Sequence, residues 1–225
     1  MTAASIRARV RAEMTDEIKA VARRHLATDG ANLSLRAVAR DLGMASSAVY
    51  RYFSSRDELL TALIIDAYAG LGAAAEAVGD DGDFRARWLA VCHAVRDWAL
   101  ANPNEWALIY GSPVPGYRAP QDTVAQAIRV ILRIGVIVHD AAAAGRVEAG
   151  TPVGGALGAE FAAVADLVAP GTPPQVVARA MAGWIQLCGA VSAELFGQLN
   201  NTVNARRDFF EYQMLGTAGF IGFAG

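Results

Sequence analysis

Hydroxyl and guanidinium side chains are concentrated between residues 34 and 56, a region that includes the segment LGMASSAVYRYFSSRDELL (42–60). Both kinds of group donate hydrogen bonds to phosphate oxygens, and small polar side chains can also reach base edges in a major groove. Their spacing places them on the outer face of two short helices that meet at Gly43. The outward-facing residues are Arg36, Arg40, Ser46, Ser47, Tyr50, Arg51 and Tyr52, with Arg56 just beyond them. The pattern predicts contact with a polyanion.

The charge balance changes along the chain. Residues 1–56 carry ten Lys or Arg and five Asp or Glu, whereas residues 57–225 carry ten and seventeen, so the net charge of −2 conceals a basic first quarter. A basic head on an acidic body favours polyanion binding by the head. Arg7, Arg9 and Arg11 precede the first predicted helix. We expect them either to form a disordered arm that contacts DNA or to serve as solubilising charge.

Local patterns predict the helices that carry these side chains. Residues 13–27 form an amphipathic helix that ends at Gly30, with Met14, Ile18, Val21, Ala22 and Leu26 on its apolar face. Ser34 is the N-cap of a short helix over 35–42, Gly43 provides the turn, and a second short helix covers 46–53. The inward residues of this pair are Leu35, Val38, Ala39, Leu42, Met44, Val49 and Phe53. Spacing alone leaves two interpretations open, a DNA-reading helix-turn-helix and an ordinary helical hairpin with a solvated basic face.

The rest of the chain has helical periodicity, so the predicted fold class is all-α, with a three-helix head on a larger helical bundle. Helices are expected from a cap at Ser54 or Ser55 to about 78, from a cap at Asp83 to 101, and over 103–110, 121–144 and 154–168. Two more are expected, one ending near 199 and one after 204. The proline-rich residues 111–120 are predicted to form a loop at a pocket rim, and the tail GTAGFIGFAG is left unassigned. The predicted domains are 1–56 and 57–225.

The segment GMASSAVYRYFSSRDELLTALI (43–64) resembles the N-terminal domain of the TetR family of transcriptional regulators, and the resemblance covers about residues 13–65. The residues that fit are Gly43, Tyr50, Phe53, Arg56, Leu59 and Leu60. The resemblance implies base contacts from Arg36, Ser46, Ser47 and Ala48, and phosphate contacts from Ser34, Tyr50, Tyr52 and Arg56. Ala45 departs from the pattern, because many members have a capping Ser or Thr there.

The segment WIQLCGAVSAELFG (184–197) is similar, more loosely, to a C-terminal domain type of the same family. Trp184, Gly189, Glu194 and Gly197 fit, and Cys188 stands where a His is expected. On the same helix, small residues form a strip that would let a partner helix approach closely, which predicts a homodimer interface. The strip comprises Ala182, Gly183, Gly189, Ala190, Ala193 and Gly197. The alternative is that both faces of the helix belong to the core of one chain.

Large aromatic residues of the body are expected either to fill its core or to line a pocket for a small apolar effector. The candidate ligand-binding residues are Trp106, Tyr110, His139, Phe161, Trp184 and Gln186.

Neither a catalytic nor a metal-binding motif is found. His25, His93 and His139 do not have HExxH spacing, and no GxSxG or phosphate-binding glycine loop occurs, so we predict that the protein is not an enzyme and needs no metal or cofactor. Cys92 and Cys188, 96 positions apart, are expected to be reduced thiols. The longest uncharged stretches reach 14 residues, short of the roughly 18 to 20 of a membrane span. We therefore predict no membrane span and a cytoplasmic location.

These observations together predict a ligand-responsive transcriptional regulator, most simply a repressor. It would bind a palindromic operator in double-stranded DNA as a homodimer and respond to a small apolar molecule. Two alternatives stay open: a transcriptional activator with the same features, and a small-molecule carrier or enzyme whose head is a structural hairpin.

Overall fold

The computed structural model describes residues 3–29 and 33–224, and within these ranges it contains helices and no strand. The helices are α1 (Ala3–Asp29), α2 (Leu35–Asp41), α3 (Ser46–Val49), α4 (Arg56–Glu76), α5 (Phe84–Ala101), α6 (Pro103–Tyr110), α7 (Val124–Ala127), α8 (Arg129–Ala143), α9 (Gly155–Val168), α10 (Pro174–Leu195) and α11 (Arg206–Ile221), with a 3₁₀ turn at Gln121–Thr123. Helices account for 72% of the structure, which confirms the predicted all-α class.

The chain divides into two compact units. The first comprises Met1–Tyr68 and Asn104–Val124, and the second comprises Ala69–Pro103 and Ala125–Gly225. The predicted boundary after residue 56 separates the expected DNA-binding and ligand-binding functions, and it stays a prediction. The compact units, in contrast, first divide the chain after Tyr68.

The first unit contains the helix-turn-helix and its core. Residues of α1 to α4 form one apolar cluster, made of Ile18, Val21, Ala22, Leu33, Leu35, Val38, Ala39, Val49, Phe53, Leu59 and Leu63. All seven inward residues predicted for 34–53 belong to this cluster or pack against it. Gly43 has φ +65, and no atom lies within 4 Å of where a Cβ would be. The turn therefore requires glycine for its left-handed backbone and not for space.

Helix α1 begins ten residues earlier than predicted, at Ala3. The apolar side chains of residues 3–12 (AASIRARVRA), Ile6 and Val10, are exposed, but alanine and arginine are strong helix formers. Arg9 also pairs with Glu13 one turn later, at 3.4 Å. The alternative of a disordered arm is therefore wrong for Arg7, Arg9 and Arg11, which lie on α1. The predicted end at Gly30 lies outside the described residues.

Other boundaries also differ, among them the end of the second short helix, which is at Val49 and not at Phe53. The predicted helix 121–144 is interrupted at Ile128, next to Arg129, whose guanidinium donates to the carbonyl of Ala69 at 3.0 Å and pairs with Glu76. Helix α10 ends at Leu195, followed by Gly197 with φ +77. The unassigned tail is helical to Ile221, since burial of several α11 side chains outweighs the low helix propensity of its glycines.

Helices α4 and α10 are long and apolar enough in composition to cross a membrane, which the search for uncharged runs did not detect. Within their most apolar windows, 44% of α4 and 39% of α10 is buried inside the protein. Core helices of soluble proteins share this length and composition, so the two helices are weak evidence for a membrane span.

The second unit is built on α5, α8, α10 and α11. The indole of Trp88 donates to the carbonyl of Met214 at 2.9 Å, which joins α5 to α11. Arg96 of α5 makes a bidentate pair with Glu194 of α10, at 2.8 and 2.7 Å, and the two side chains are 8% and 7% exposed. A buried pair of this kind is costly to break, because removal of either charge leaves the other desolvated.

We predict that Glu194→Gln lowers the free energy of unfolding by about 3 to 5 kcal/mol, because the Arg96 charge stays buried without its carboxylate. The matched control is the double variant Arg96→Met with Glu194→Leu, which replaces both charges with apolar groups and is expected to stay within about 2 kcal/mol of the wild type. Urea titration followed by circular dichroism measures both. A single variant as stable as the wild type contradicts the prediction.

Candidate nucleic-acid interface

The outer face of the helix-turn-helix presents polar side chains to solvent. Arg36 on α2 and Ser46 and Ser47 on α3 are exposed, as are Ser34 and Arg51, and the Tyr50 side chain is 46% exposed. Helix α3 has only four residues, and Ala45 at its N-cap makes no side-chain hydrogen bond. The small residues at the start of α3 would therefore let its N-terminal end approach a ligand closely.

Three of the predicted contact residues are half-buried: Ala48, Tyr52 and Arg56. The Arg56 Nε–H donates to the carbonyl of Leu33 at 3.2 Å, and Arg56 Nη1 lies 3.3 Å from Asp57 Oδ1. Arg56 thus also holds Leu33, two residues before the start of α2. Its role as a phosphate contact stays a prediction.

Arg11, expected from the sequence either to lie on an arm that contacts DNA or to be solubilising charge, instead contacts the residues that follow α3. Its Nη2 donates to the carbonyl of Arg51 at 3.0 Å, and its guanidinium carbon lies 5.1 Å from the centre of the Tyr52 ring. This cation–π contact joins the beginning of α1 to the end of the recognition segment. Arg11 and Arg51 are 40 positions apart in the chain, so no local pattern indicates these contacts.

Several cations of the head are paired within the first unit. Lys19 lies 2.9 Å and Arg23 2.6 Å from Asp66 Oδ2. Burial opposes the charged form of Lys19, but the hydrogen bond and charge of Asp66 outweigh it and raise the pKa of Lys19. The basic excess of residues 1–56 therefore overstates the charge available to an external anion.

The start of α4 is stabilised by a reciprocal cap. The Glu58 amide donates to the Ser55 hydroxyl at 3.1 Å, and the Glu58 carboxylate accepts from both the hydroxyl and the amide of Ser54 at 2.6 Å. This is the geometry of a capping box, shifted so that the returning bond reaches the residue before the cap. The Ser54 hydroxyl and then its amide lower the pKa of Glu58.

The six predicted ligand-binding residues do not surround one cavity in either unit. Trp106 and Tyr110 belong to the first unit, where Trp106 is fully buried with its ring 4.5 Å from that of Tyr110. Their packing is that of core residues.

The other four belong to the second unit and have different surroundings. Trp184 lines an apolar cavity, and Phe161 packs against a small buried cluster of α9 and α10. His139 Nδ1–H donates to the carbonyl of Pro170 at 2.9 Å, and Gln186 lines an open groove beside Tyr212. The cavity around Trp184 was not identified from the sequence, because its apolar lining has the same pattern as any core.

The strip of small residues on α10 is not a single surface. A Cβ on Gly183 would lie 3.0 Å from Thr217 Cγ2 and 3.1 Å from Ile221 Cδ1, so Gly183 allows α11 of the same chain to approach. Its assignment to a dimer interface is therefore wrong. Gly189 and Ala182 are exposed, and a Cβ on Gly189 would meet no atom within 4 Å.

Comparisons with known proteins agree on one family. Residues 88–216 match the tetracyclin repressor-like C-terminal domain, and residues 18–63 match the bacterial regulatory proteins of the tetR family. The chain is 41% identical over 195 residues to HTH-type transcriptional regulator Rv1816 of Mycobacterium tuberculosis. The aligned region covers 84% of this chain and 83% of that protein.

Two solved structures extend the comparison. The crystal structure of SCO4313 is 35% identical, with a TM-score of 0.78 over 94% of this chain and 98% of that one. A TetR variant from Acinetobacter baumannii AYE, solved in complex with minocycline, is 16% identical with a TM-score of 0.53 over 90% and 93% of the two chains. The second likeness shows the fold alone.

We predict that Glu58→Gln removes a pH-dependent stabilisation of the first unit. The pKa of Glu58 in the folded protein is below its ordinary value of 4.5, so the stabilisation is complete above that value and is lost as the pH falls through the folded pKa. Urea unfolding of the wild type and the variant should differ at neutral pH, and the difference should narrow between about pH 5 and pH 3. A difference that is constant with pH contradicts this assignment, and Ser54→Ala should reduce the same narrowing.

Proposed function

Since a family model matches more than half of the chain and a relative is 41% identical, the protein belongs to the TetR family of transcriptional regulators, and we propose that it is a ligand-responsive repressor. It binds a palindromic operator as a homodimer in the cytoplasm. A small apolar molecule shifts it between conformations that differ in DNA affinity. The observation that carries the proposal is the exposed polar face of α2 and α3 above a fully formed apolar core.

The proposed DNA contacts divide into two classes. Arg36, Ser46, Ser47 and Ala48 read base edges, because they lie on or next to the short helix that enters the major groove. Ser34, Tyr50, Arg51, Tyr52 and Arg56 lie around it and bind phosphates. In a dimer the two α3 helices enter grooves about 34 to 36 Å apart, which explains the expected palindrome.

Exposed apolar side chains on α10 and α11 support the dimer. Ile185 on α10 is 64% exposed and Phe196, directly after it, is 48% exposed, and Tyr212 and Phe220 on α11 are 75% and 55% exposed. Ile185 lies one turn from exposed Gly189, and Tyr212 and Phe220 line an open groove of about 570 Å³. Exposed apolar side chains that lie close together favour association with another protein surface. The α10 and α11 helices of a second copy would provide an equivalent apolar surface for them.

The experiment that tests the proposed function is a fluorescence anisotropy titration against the DNA upstream of the protein's own gene, with random DNA as competitor, at two salt concentrations. If the protein represses its own operon, its binding to this DNA resists competition by random DNA. Its affinity for the DNA also falls steeply as the salt concentration rises, because phosphate contacts release counterions. Binding no tighter than to random DNA, here and across a selected pool of random sequences, overturns the proposal in favour of a carrier with a structural head.

We predict that substitutions in the two classes have different effects. Arg36→Ala and Ser47→Ala should change which bases are preferred, each by about 1 to 3 kcal/mol at the contacted position. Tyr50→Phe and Arg56→Ala should weaken binding to all sequences, and Arg56→Ala should reduce the salt slope by about one.

The matched control for these four variants is Arg207→Ala, which removes a 60% exposed arginine from α11 of the second unit. It should leave sequence preference and the salt slope unchanged. Circular dichroism checks that Arg56→Ala still folds, because Arg56 also contacts Leu33. Identical effects of all four variants on specific and random DNA would falsify the assignment.

We also predict that Ile185→Glu converts the dimer to a monomer, since it places a carboxylate in an apolar interface without a partner. Leu167→Glu is the matched control, because Leu167 is as exposed, at 71%, but lies on α9. Light scattering coupled to size-exclusion chromatography measures both masses. A dimer that survives Ile185→Glu but not Leu167→Glu places the interface elsewhere.

A further inference from the structure

The second unit contains a small apolar cavity between α8, α9 and α10 that is partly open to solvent. It is lined by residues that include Ile131 and Gly135 from α8, Val164 and Val168 from α9, and Ala180 and Trp184 from α10. Among the described side chains that line it, the indole N–H of Trp184 is the one polar group, and none carries a charge. Its volume is about 20 Å³, which is room for about one water molecule and too little for an effector.

Helix α9 closes this cavity, and most of its residues are partly or largely exposed to solvent. Of its 14 residues, all of which the structure describes, Ala165 alone is buried. Leu157 and Leu167 are 52% and 71% exposed on its outer side, so the helix has apolar residues on both sides. Rotation of such a helix changes its buried apolar area little, because one apolar side becomes exposed while the other becomes buried. Burial therefore favours no single orientation strongly.

The two ends of α9 differ in how they are attached. Near its C-terminal end, a Cβ on Gly135 would lie 2.3 Å from the Val168 carbonyl oxygen, and His139 donates to the carbonyl of Pro170. Its first six residues, 155–160, include none that is buried, and they follow the flexible pair Gly154 and Gly155. The N-terminal half is therefore the part that can move away from α8 and α10 while the C-terminal end stays attached.

We propose that this cavity is the effector site of the protein, and that it takes an uncharged, hydrocarbon-rich molecule by displacement of the N-terminal half of α9. The proposal rests on the proposed function, of which it specifies the ligand class. A carboxylate, phosphate or ammonium group would lose its hydration there without gaining a hydrogen bond. An aromatic or branched hydrocarbon would gain contacts with side chains that already face the cavity.

The test uses two fluorescent probes that differ by one charged group: uncharged N-phenylnaphthylamine and its sulfonated analogue, anilinonaphthalene sulfonate. We expect the full-length protein to bind the uncharged probe with enhanced emission and energy transfer from tryptophan, and to bind the sulfonate at least about tenfold more weakly. Equal affinity for the two probes, or no binding of the uncharged one, overturns the proposal.

Two variants locate the bound probe. Ala180→Leu fills the cavity and should weaken binding about tenfold, whereas Met181→Ala removes a lining side chain and should strengthen it. Ala163→Leu, the matched control, adds the same side chain to an exposed position of α9 and should change nothing. If Ala180→Leu does not fold, Met181→Ala decides: unchanged or weaker affinity for the probe rejects the site.

A parallel titration with operator DNA separates this proposal from the proposed function. Normal operator binding by a protein that fails to bind the uncharged probe rejects the cavity as the effector site and leaves the DNA-binding function standing. Failure to bind any operator, with probe binding retained, rejects the repressor and leaves an apolar ligand site on a protein of another function.

Discussion

Burial of two side chains holds the short helix α3, on whose orientation the proposed DNA-binding surface depends. With four residues and no side-chain cap, α3 is far below the roughly 12 to 15 residues at which an isolated helix becomes marginally stable in water. Val49 within it and Phe53 just after it are buried in the cluster formed by α1, α2 and α4. The exposed serines and Tyr50 are therefore oriented by a core to which they do not belong.

The charges of the first unit have two different tasks. Lys19 and Arg23 face Asp66, so these cations stabilise the fold, and Arg56 contacts the Leu33 carbonyl in addition to its proposed phosphate contact. Arg36 and the hydroxyl groups are directed to solvent and are available to DNA. Arg11 supports the DNA-facing residues indirectly, because its guanidinium lies over the ring of Tyr52 and donates to the carbonyl of Arg51. Counting charges along the sequence cannot distinguish these roles.

The second unit combines a rigid part with a weakly packed one. The buried Arg96–Glu194 pair and the Trp88 indole join α5 to α10 and α11 with directional bonds that have few alternative geometries. On the other side of α10, helix α9 makes apolar contacts that specify its position only loosely. A ligand that inserts there would change the position of α9 at low cost, while the α10–α11 surface proposed for dimer formation stays in place.

The sequence by itself determined the all-α class, the inward residues of the helix-turn-helix, the Asp83 cap and the start of α6 at Pro103, because each depends on a few neighbouring residues. It also indicated the polar face of α2 and α3 through spacing and family resemblance. Only the tertiary structure decided the interruption at Ile128, the inward orientation of Gly183, the contact of Arg11 with Tyr52 and the cavity beneath α9. These features join residues far apart in the chain, and their energies depend on which surfaces the folded chain brings together, which no local periodicity encodes.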